Sequence, residues 1–235
     1  MNLLIVKNIS REGPGILEDI LIESRISYDI TDLEAGDKIP SPENYSAIII
    51  FGGPDSANDA SKKMILELKM IKQAIDSGIP YLGICLGMQA LVKACGGSIH
   101  VNNVKEIGFT GEDGDYYSVN IAKENLNDPL FNGLKNPLKI FHLHGETVKM
   151  TEKMQLLATG KYCRHQIVKV SKNAYGIQGH FELTPEMFTT WLDNDSELRK
   201  MDRDTLEKDF KLFADEYSNN GKKLFNNFLQ ISGLI

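Results

Sequence analysis

Tryptophan occurs once, cysteine three times and proline eight times in this 235-residue chain. An odd, small number of cysteines in dissimilar settings excludes a disulfide framework and suits a reducing compartment. No apolar run approaches the ~20 residues that a membrane helix needs; the longest covers residues 79–88. The brief apolar run at residues 3–6 is followed at once by Lys7 and Asn8, which reads as a first strand rather than a signal peptide. The expected location is therefore cytoplasmic. Basic residues are also in deficit, 26 Lys and Arg against 32 Asp and Glu for a net charge of −6. That balance argues against a general nucleic-acid or anionic-membrane binder. There is no linker, repeat or low-complexity tract, and no GxxxxGK[ST] phosphate loop.

What is present has the composition of an ordinary soluble globule, 42% hydrophobic and 25% charged. Strand and helix signals alternate through the first hundred residues. Residues 3–6, 27–33, 47–51 and 81–84 read as strands, the third (AIIIF) as one buried on both faces. Gly13-Pro14-Gly15 opens a helix with Ile16, Leu17, Ile20 and Leu21 on one face. Residues 62–77 form a second helix with Met64, Ile65, Leu68, Ile71 and Ile75 as its apolar stripe. Residues 86–95 form a third, stopped by Gly96-Gly97. This order implies an open, mostly parallel sheet with helices on both faces, an α/β fold. Short hairpin strands between 98 and 177 extend it, and 174–180 returns to strand. Thr184-Pro185-Glu186 begins a helix, and 193–229 is charged and helical. The expected organisation is a domain over 1–190 with a helical extension, 191–235, packed on it.

The chemistry concentrates at two strand ends. Gly83-Ile84-Cys85-Leu86-Gly87 has the Gly-x-nucleophile-x-Gly spacing of a strand-to-helix elbow. Small flanking residues permit the tight turn. The helix starting behind Cys85 favours a thiolate, and the Leu86 N–H, without an intrahelical acceptor, can meet a developing oxyanion. In the second segment, Gly176-Ile177-Gln178-Gly179-His180-Phe181-Glu182, alternation along a strand puts His180 and Glu182 on one face. There a carboxylate can fix the tautomer of an imidazole that acts as base toward a thiol from another element. Parallel strands bring their carboxyl ends to one sheet edge, so the two segments are expected to meet.

These residues resemble those of the class I glutamine amidotransferases, the triad glutaminases. Residues 40–56 (PSPENYSAIIIFGGPDS) resemble the strand leading into that family's Gly-Gly-Pro loop, 83–89 (GICLGMQ) its cysteine signature, and 176–182 (GIQGHFE) its histidine signature. His144-Gly145 stands where a substrate-contacting His-Gly segment is expected. The match spans roughly residues 1–190, and its closest flavour is that of stand-alone proteins resembling the glutaminase domain of GMP synthase. The resemblance implies a flavodoxin-like class I glutaminase fold. It implies Cys85 as nucleophile, His180 as general base and acid, and Glu182 as its orienter. It further implies an oxyanion hole of the Gly53 and Leu86 N–H groups, and glutamine contacts from Gly52, Gln89, Gly145 and Glu146. Two departures are His-Phe-Glu in place of His-Pro-Glu, and Glu146 in place of the usual Asp after His-Gly.

The implied reaction is glutamine hydrolysis through a Cys85 γ-glutamyl thioester, the ammonia passing to an acceptor or synthetase subunit supplied in trans. The alternatives are a γ-glutamyl peptidase or hydrolase acting on other γ-glutamyl amides, and a non-catalytic regulatory subunit. No cofactor and no metal are expected. His142 and His144 are two apart on a strand, but the sequence shows no third ligand nearby, so they are read as loop structure. Cys95 reads as core packing, Cys163 as structural, and the charge run 193–209 as a solvated helix face.

Overall fold

Both faces of the sheet are covered, which is why the first strand is apolar without alternation. In the computed structural model, which describes residues 2–111 and 113–235, Leu3 and Ile5 of β1 (Asn2–Lys7) enter one core and Leu4 and Val6 the other. The same division runs along β3 (Ala47–Ile50), whose four residues are all buried. The remaining strands are β2 (Ser27–Asp32), β4 (Tyr81–Ile84), β5 (Ser98–Gly108), β6 (Asn120–Ile121), β7 (His142–Lys149), β8 (Gln155–Thr159), β9 (Ile167–Ser171) and β10 (Ala174–Ile177). Among the described residues, eight of these ten strands form one sheet in the order β2-β1-β3-β4-β10-β9-β8-β6. The first five strands in that order are parallel; β9, β8 and β6 continue antiparallel. The chain turns back across β1 between β2 and β3, a topological switch beside which α/β proteins place their sites.

The helices α1 (Ile16–Glu23), α4 (Pro185–Asn194) and α5 (Arg203–Ile231) pack on one face, and α2 (Lys62–Asp76) and α3 (Leu86–Ala94) on the other. Among the described residues no helix is long and apolar enough to cross a membrane. Ser61 caps α2 by accepting the Met64 N–H at 3.2 Å, and Thr184 caps α4 by accepting that of Met187 at 3.2 Å.

Four sequence expectations are corrected. The strands between 98 and 177 do not all join the main sheet, because β5 and β7 pair only with each other. β10 ends at Ile177, not at 180: its neighbour β4 turns into α3 there, and His180 pairs instead with Phe141 in an isolated bridge. The helical region after 193 is broken. The Asp195 side chain accepts the N–H groups of Glu197 and Leu198, a local alternative to helix, and Asp202 caps α5 afresh. On α2, Ile65 is 55% exposed while Glu67 is fully buried among Met64, Met70, Ile71 and Ala74.

Candidate active site

The carboxyl ends of β1, β3, β4 and β10 meet at one edge. Cys85 stands at the turn from β4 into α3 with φ +53°, one of two non-glycine residues in the left-handed region among the described residues. Such a conformation persists only where the surroundings impose it. Here they do: the Cys85 N–H donates to the Ile177 carbonyl at 2.8 Å, and the backbone packs so closely that a Cβ at Gly83 would lie 2.3 Å from the Gly87 carbonyl oxygen, and one at Gly87 2.2 Å from that of Ile50. The two glycines of the elbow are thus required by close approach. The Cys85 Sγ is 3.8 Å from both the Leu143 carbonyl oxygen and Gln178 Nε2.

His180 and Glu182 are buried, with Nδ1 2.7 Å from Glu182 Oε1. Glu182 Oε2 accepts the Phe181 N–H at 2.9 Å, so both carboxylate oxygens are engaged. The proton on Nδ1 leaves Nε2, buried and without a hydrogen-bond partner among the described residues, on the cavity side with Cys85. Trp191 closes the far side edge-on, its ring centre 4.9 Å from that of His180. Burial alone would pull the imidazole pKa down. The Glu182 carboxylate and the Cys85 sulfur outweigh it and hold His180 well above its ordinary range, favouring the imidazolium.

One cavity of about 350 Å³ is lined by Gly53, Cys85, Leu86, Gln89, Gly145, Glu146 and His180. Gly52 and Glu182, also singled out from sequence, stand behind that lining: a Cβ on Gly52 would lie 2.6 Å from Glu12 Oε2, 3.0 Å from His180 Cε1 and 3.3 Å from Cys85 Cβ. Gln89 Nε2 donates to the Glu146 carbonyl at 3.2 Å, and Ser56 Oγ to the Glu146 carboxylate at 2.8 Å. These bonds tie the elbow helix and the Gly-Gly-Pro loop to the His-Gly segment.

Several residues of the cavity escape a motif reading. Arg11, Glu12, Lys105, Asp195 and Glu197 also line it. Glu12 is buried, its Oε2 has no partner among the described residues, and burial pushes its carboxyl up to about 7, with His180 pulling it down and Glu182 pushing it up. The signal available was position alone, since Glu12 follows a strand that ends at this edge. Cys163 is fully buried against Thr147 and outside the lining, and burial pushes its thiol up to about 11. Cys95 is half-buried beside the α2–α3 core. The charge run is not wholly solvated, because Asp209 is buried and accepts from the Thr110 hydroxyl. His142 and His144 do have a third neighbour, Glu106 of β5. The bulge in β5 between Val101 and Glu106 sets that register, and spacing cannot reveal it.

The chain as a whole resembles known proteins. The chain matches the family model described as Glutamine amidotransferase class-I over residues 16–197. It is 29% identical over 158 residues to the glutamine amidotransferase-like protein YfeJ of Salmonella typhimurium, covering 65% of this chain and 63% of that one. The chain therefore spans less than two thirds of that relative's length. It is also 29% identical over 167 residues to a GMP synthase (glutamine-hydrolyzing) subunit of Natronomonas pharaonis, covering 69% and 81% of the two chains. The crystal structure of a glutamine amidotransferase from Thermotoga maritima is similar over 98% of both chains, with a TM-score of 0.85 at 26% identity.

Proposed function

The chain belongs to the glutamine amidotransferase class-I family, and from that premise we propose that it hydrolyses the side-chain amide of glutamine at Cys85. The Cys85 thiolate attacks the amide carbon. The Gly53 and Leu86 N–H groups receive the oxyanion, each such donor contributing roughly 3–4 kcal/mol to the transition state. The His180 imidazolium protonates the departing ammonia, leaving a γ-glutamyl thioester. The neutral imidazole then takes a proton from water, which attacks the thioester; glutamate leaves and the thiol is restored. Gly52, Gln89, Gly145 and Glu146 hold the amino-acid end of the substrate. Residues 1–190 carry this chemistry, and residues 191–235 brace it.

The observation that carries the reading is the 2.7 Å contact of His180 with Glu182, on the same cavity as a cysteine in a strained elbow. The ammonia acceptor is a synthetase subunit in trans, in keeping with a relative named as one subunit of GMP synthase. The free cysteines suit a reducing, cytoplasmic setting. Glutamate and ammonia release from glutamine, measured beside Cys85→Ala, tests the mechanism. The substitution is expected to lower kcat by at least ~1,000-fold; a variant that keeps a tenth of the activity removes Cys85 as nucleophile.

A second reading, hydrolysis of other γ-glutamyl amides, is favoured by one feature. The cavity continues past the triad to Arg11, Lys105, Asp195 and Glu197, more charged surface than a departing ammonia uses. A panel of γ-glutamyl dipeptides against glutamine separates the two by kcat/KM.

A further inference from the structure

We propose that Glu106, His142 and His144 form a binding site for one divalent transition-metal ion of the zinc class, distinct from the triad. β5 and β7 run antiparallel with Glu106 directly opposite His144 and Gly108 opposite His142. Residues two apart on β7 share a face, so two imidazoles and a carboxylate converge from adjacent strands. All three side chains are buried, and their ligand atoms lie within 4.8 Å of one another. Glu106 Oε2 is 2.8 Å from His144 Nε2 and 3.7 Å from His142 Nδ1. Bonds of ~2.0–2.1 Å in tetrahedral zinc sites set donors roughly 3.3 Å apart, a spacing that these two distances bracket.

The protein itself leaves the cluster unsatisfied. Among the described residues neither nitrogen of His142 has a hydrogen-bond partner, and His144 Nε2, although close to Glu106, makes no hydrogen bond of acceptable geometry. Buried polar atoms without partners are costly, and native folds rarely keep several together. A plain Glu106–His144 pair would leave His142 bare, whereas a shared cation engages all three. The outer partners already fit. His144 Nδ1 is 3.2 Å from the Glu146 carbonyl, an acceptor only, which puts the proton of the neutral ring on Nδ1 and the lone pair on Nε2. Gln166 Nε2 donates to Glu106 Oε2 at 2.6 Å. Two imidazoles and one carboxylate are a recognised zinc donor set, which leaves a fourth position for water. Because His144 also lines the active-site cavity, an ion can enter there, and once bound it would steady the neighbouring Gly145 and Glu146.

The test uses the full chain carrying Cys85→Ala, so that the triad thiolate cannot compete for metal. Zinc content after dialysis, zinc affinity by chelator competition, and visible ligand-field absorption with Co²⁺ are measured. One ion per chain is expected, with a zinc-dependent rise in Tm. Adding His142→Ala or Glu106→Gln should weaken binding by more than the ~10–100-fold that loss of an outer partner costs. Absence of binding, or variants that bind as tightly as their parent, would overturn the proposal. Should a variant fail to fold, the Co²⁺ spectrum of the parent decides. Nitrogen and oxygen ligation without a thiolate charge-transfer band supports the site; a thiolate band, or no absorption, rejects it.

Discussion

At the scale of single residues, Glu182 shows why a carboxylate and not an amide stands beside His180. Its two oxygens accept from two donors, His180 Nδ1–H and the Phe181 N–H. Glu182→Gln keeps the shape but offers one acceptor and one NH2 group. One of the two donors must then face another donor in a buried site. If it is the histidine, the tautomer reverses and Nε2 carries the proton, which the proposed mechanism does not allow in the neutral ring. Glutamine turnover by Glu182→Gln is expected to fall by ~100- to 10,000-fold. The same loss of negative charge lowers the His180 pKa, so the imidazolium that protonates ammonia is lost at lower pH and the alkaline-side inflection of any residual kcat/KM profile moves downward. An unchanged inflection would mean that Glu182 does not govern the base. Cys85, His180 and Glu182 were legible in the sequence because each sits in a short pattern whose spacing has a physical reason. Glu12 and Glu106 were not, since one lies in a loop and the other reaches its partners across a bulged strand pair.

Among the elements, α5 is the part whose purpose composition conceals. Periodicity indicated an apolar helical face, yet not what it covers. Phe225 packs 4.8 Å from the Phe181 ring, and the Tyr217 hydroxyl accepts the Leu183 N–H at 3.1 Å. α5 thus grips both neighbours of Glu182. Gly221 lets it come this close: a Cβ there would lie 2.3 Å from the Phe181 carbonyl oxygen. Gly221→Ala gains up to ~1 kcal/mol of helix propensity, but the clash with fixed backbone costs ~1–3 kcal/mol. We expect net destabilisation together with a kcat loss at unchanged oligomeric state. Asn219→Ala, two residues away and exposed, should show neither effect. Wild-type kcat in Gly221→Ala would detach α5 from the function proposed for the His180–Glu182 segment. The parallel strands were readable because fully buried strands need no alternation. The break before α5 was not, because it rests on one Asp195 side chain outcompeting the helix for two N–H groups. The face of α2 misled for a similar reason, a buried carboxylate in the place an apolar residue would hold.

That carboxylate, Glu67, makes the stability of the whole molecule depend on pH. It is fully buried and accepts from Asn8 Nδ2 at 3.0 Å; Asn8 in turn lies beneath the Gly-Gly-Pro loop, its Cβ 2.7 Å from where a Cβ on Gly53 would be. Burial pushes the Glu67 carboxyl from an ordinary 4.5 up to about 7, with the Asn8 hydrogen bond and Lys63 opposing. The folded state therefore holds this proton more tightly than the unfolded chain does. Below pH 4.5 both states are protonated and nothing is lost. From there the unfolded chain ionises first, and stability declines as pH rises, until the folded carboxyl also ionises near pH 7. The gap from 4.5 to about 7 corresponds to about 3 kcal/mol. Glu67→Gln keeps an acceptor for Asn8 and removes the titration. The variant should therefore gain on wild type by up to about 3 kcal/mol between pH 4.5 and pH 8, a Tm gap widening by roughly 6–12 °C. Chemical denaturation at a series of pH values, with Glu12 and His180 intact in both proteins, isolates this one group. A difference that stays constant over the series would show that Glu67 is ionised, and held so, even in the folded core.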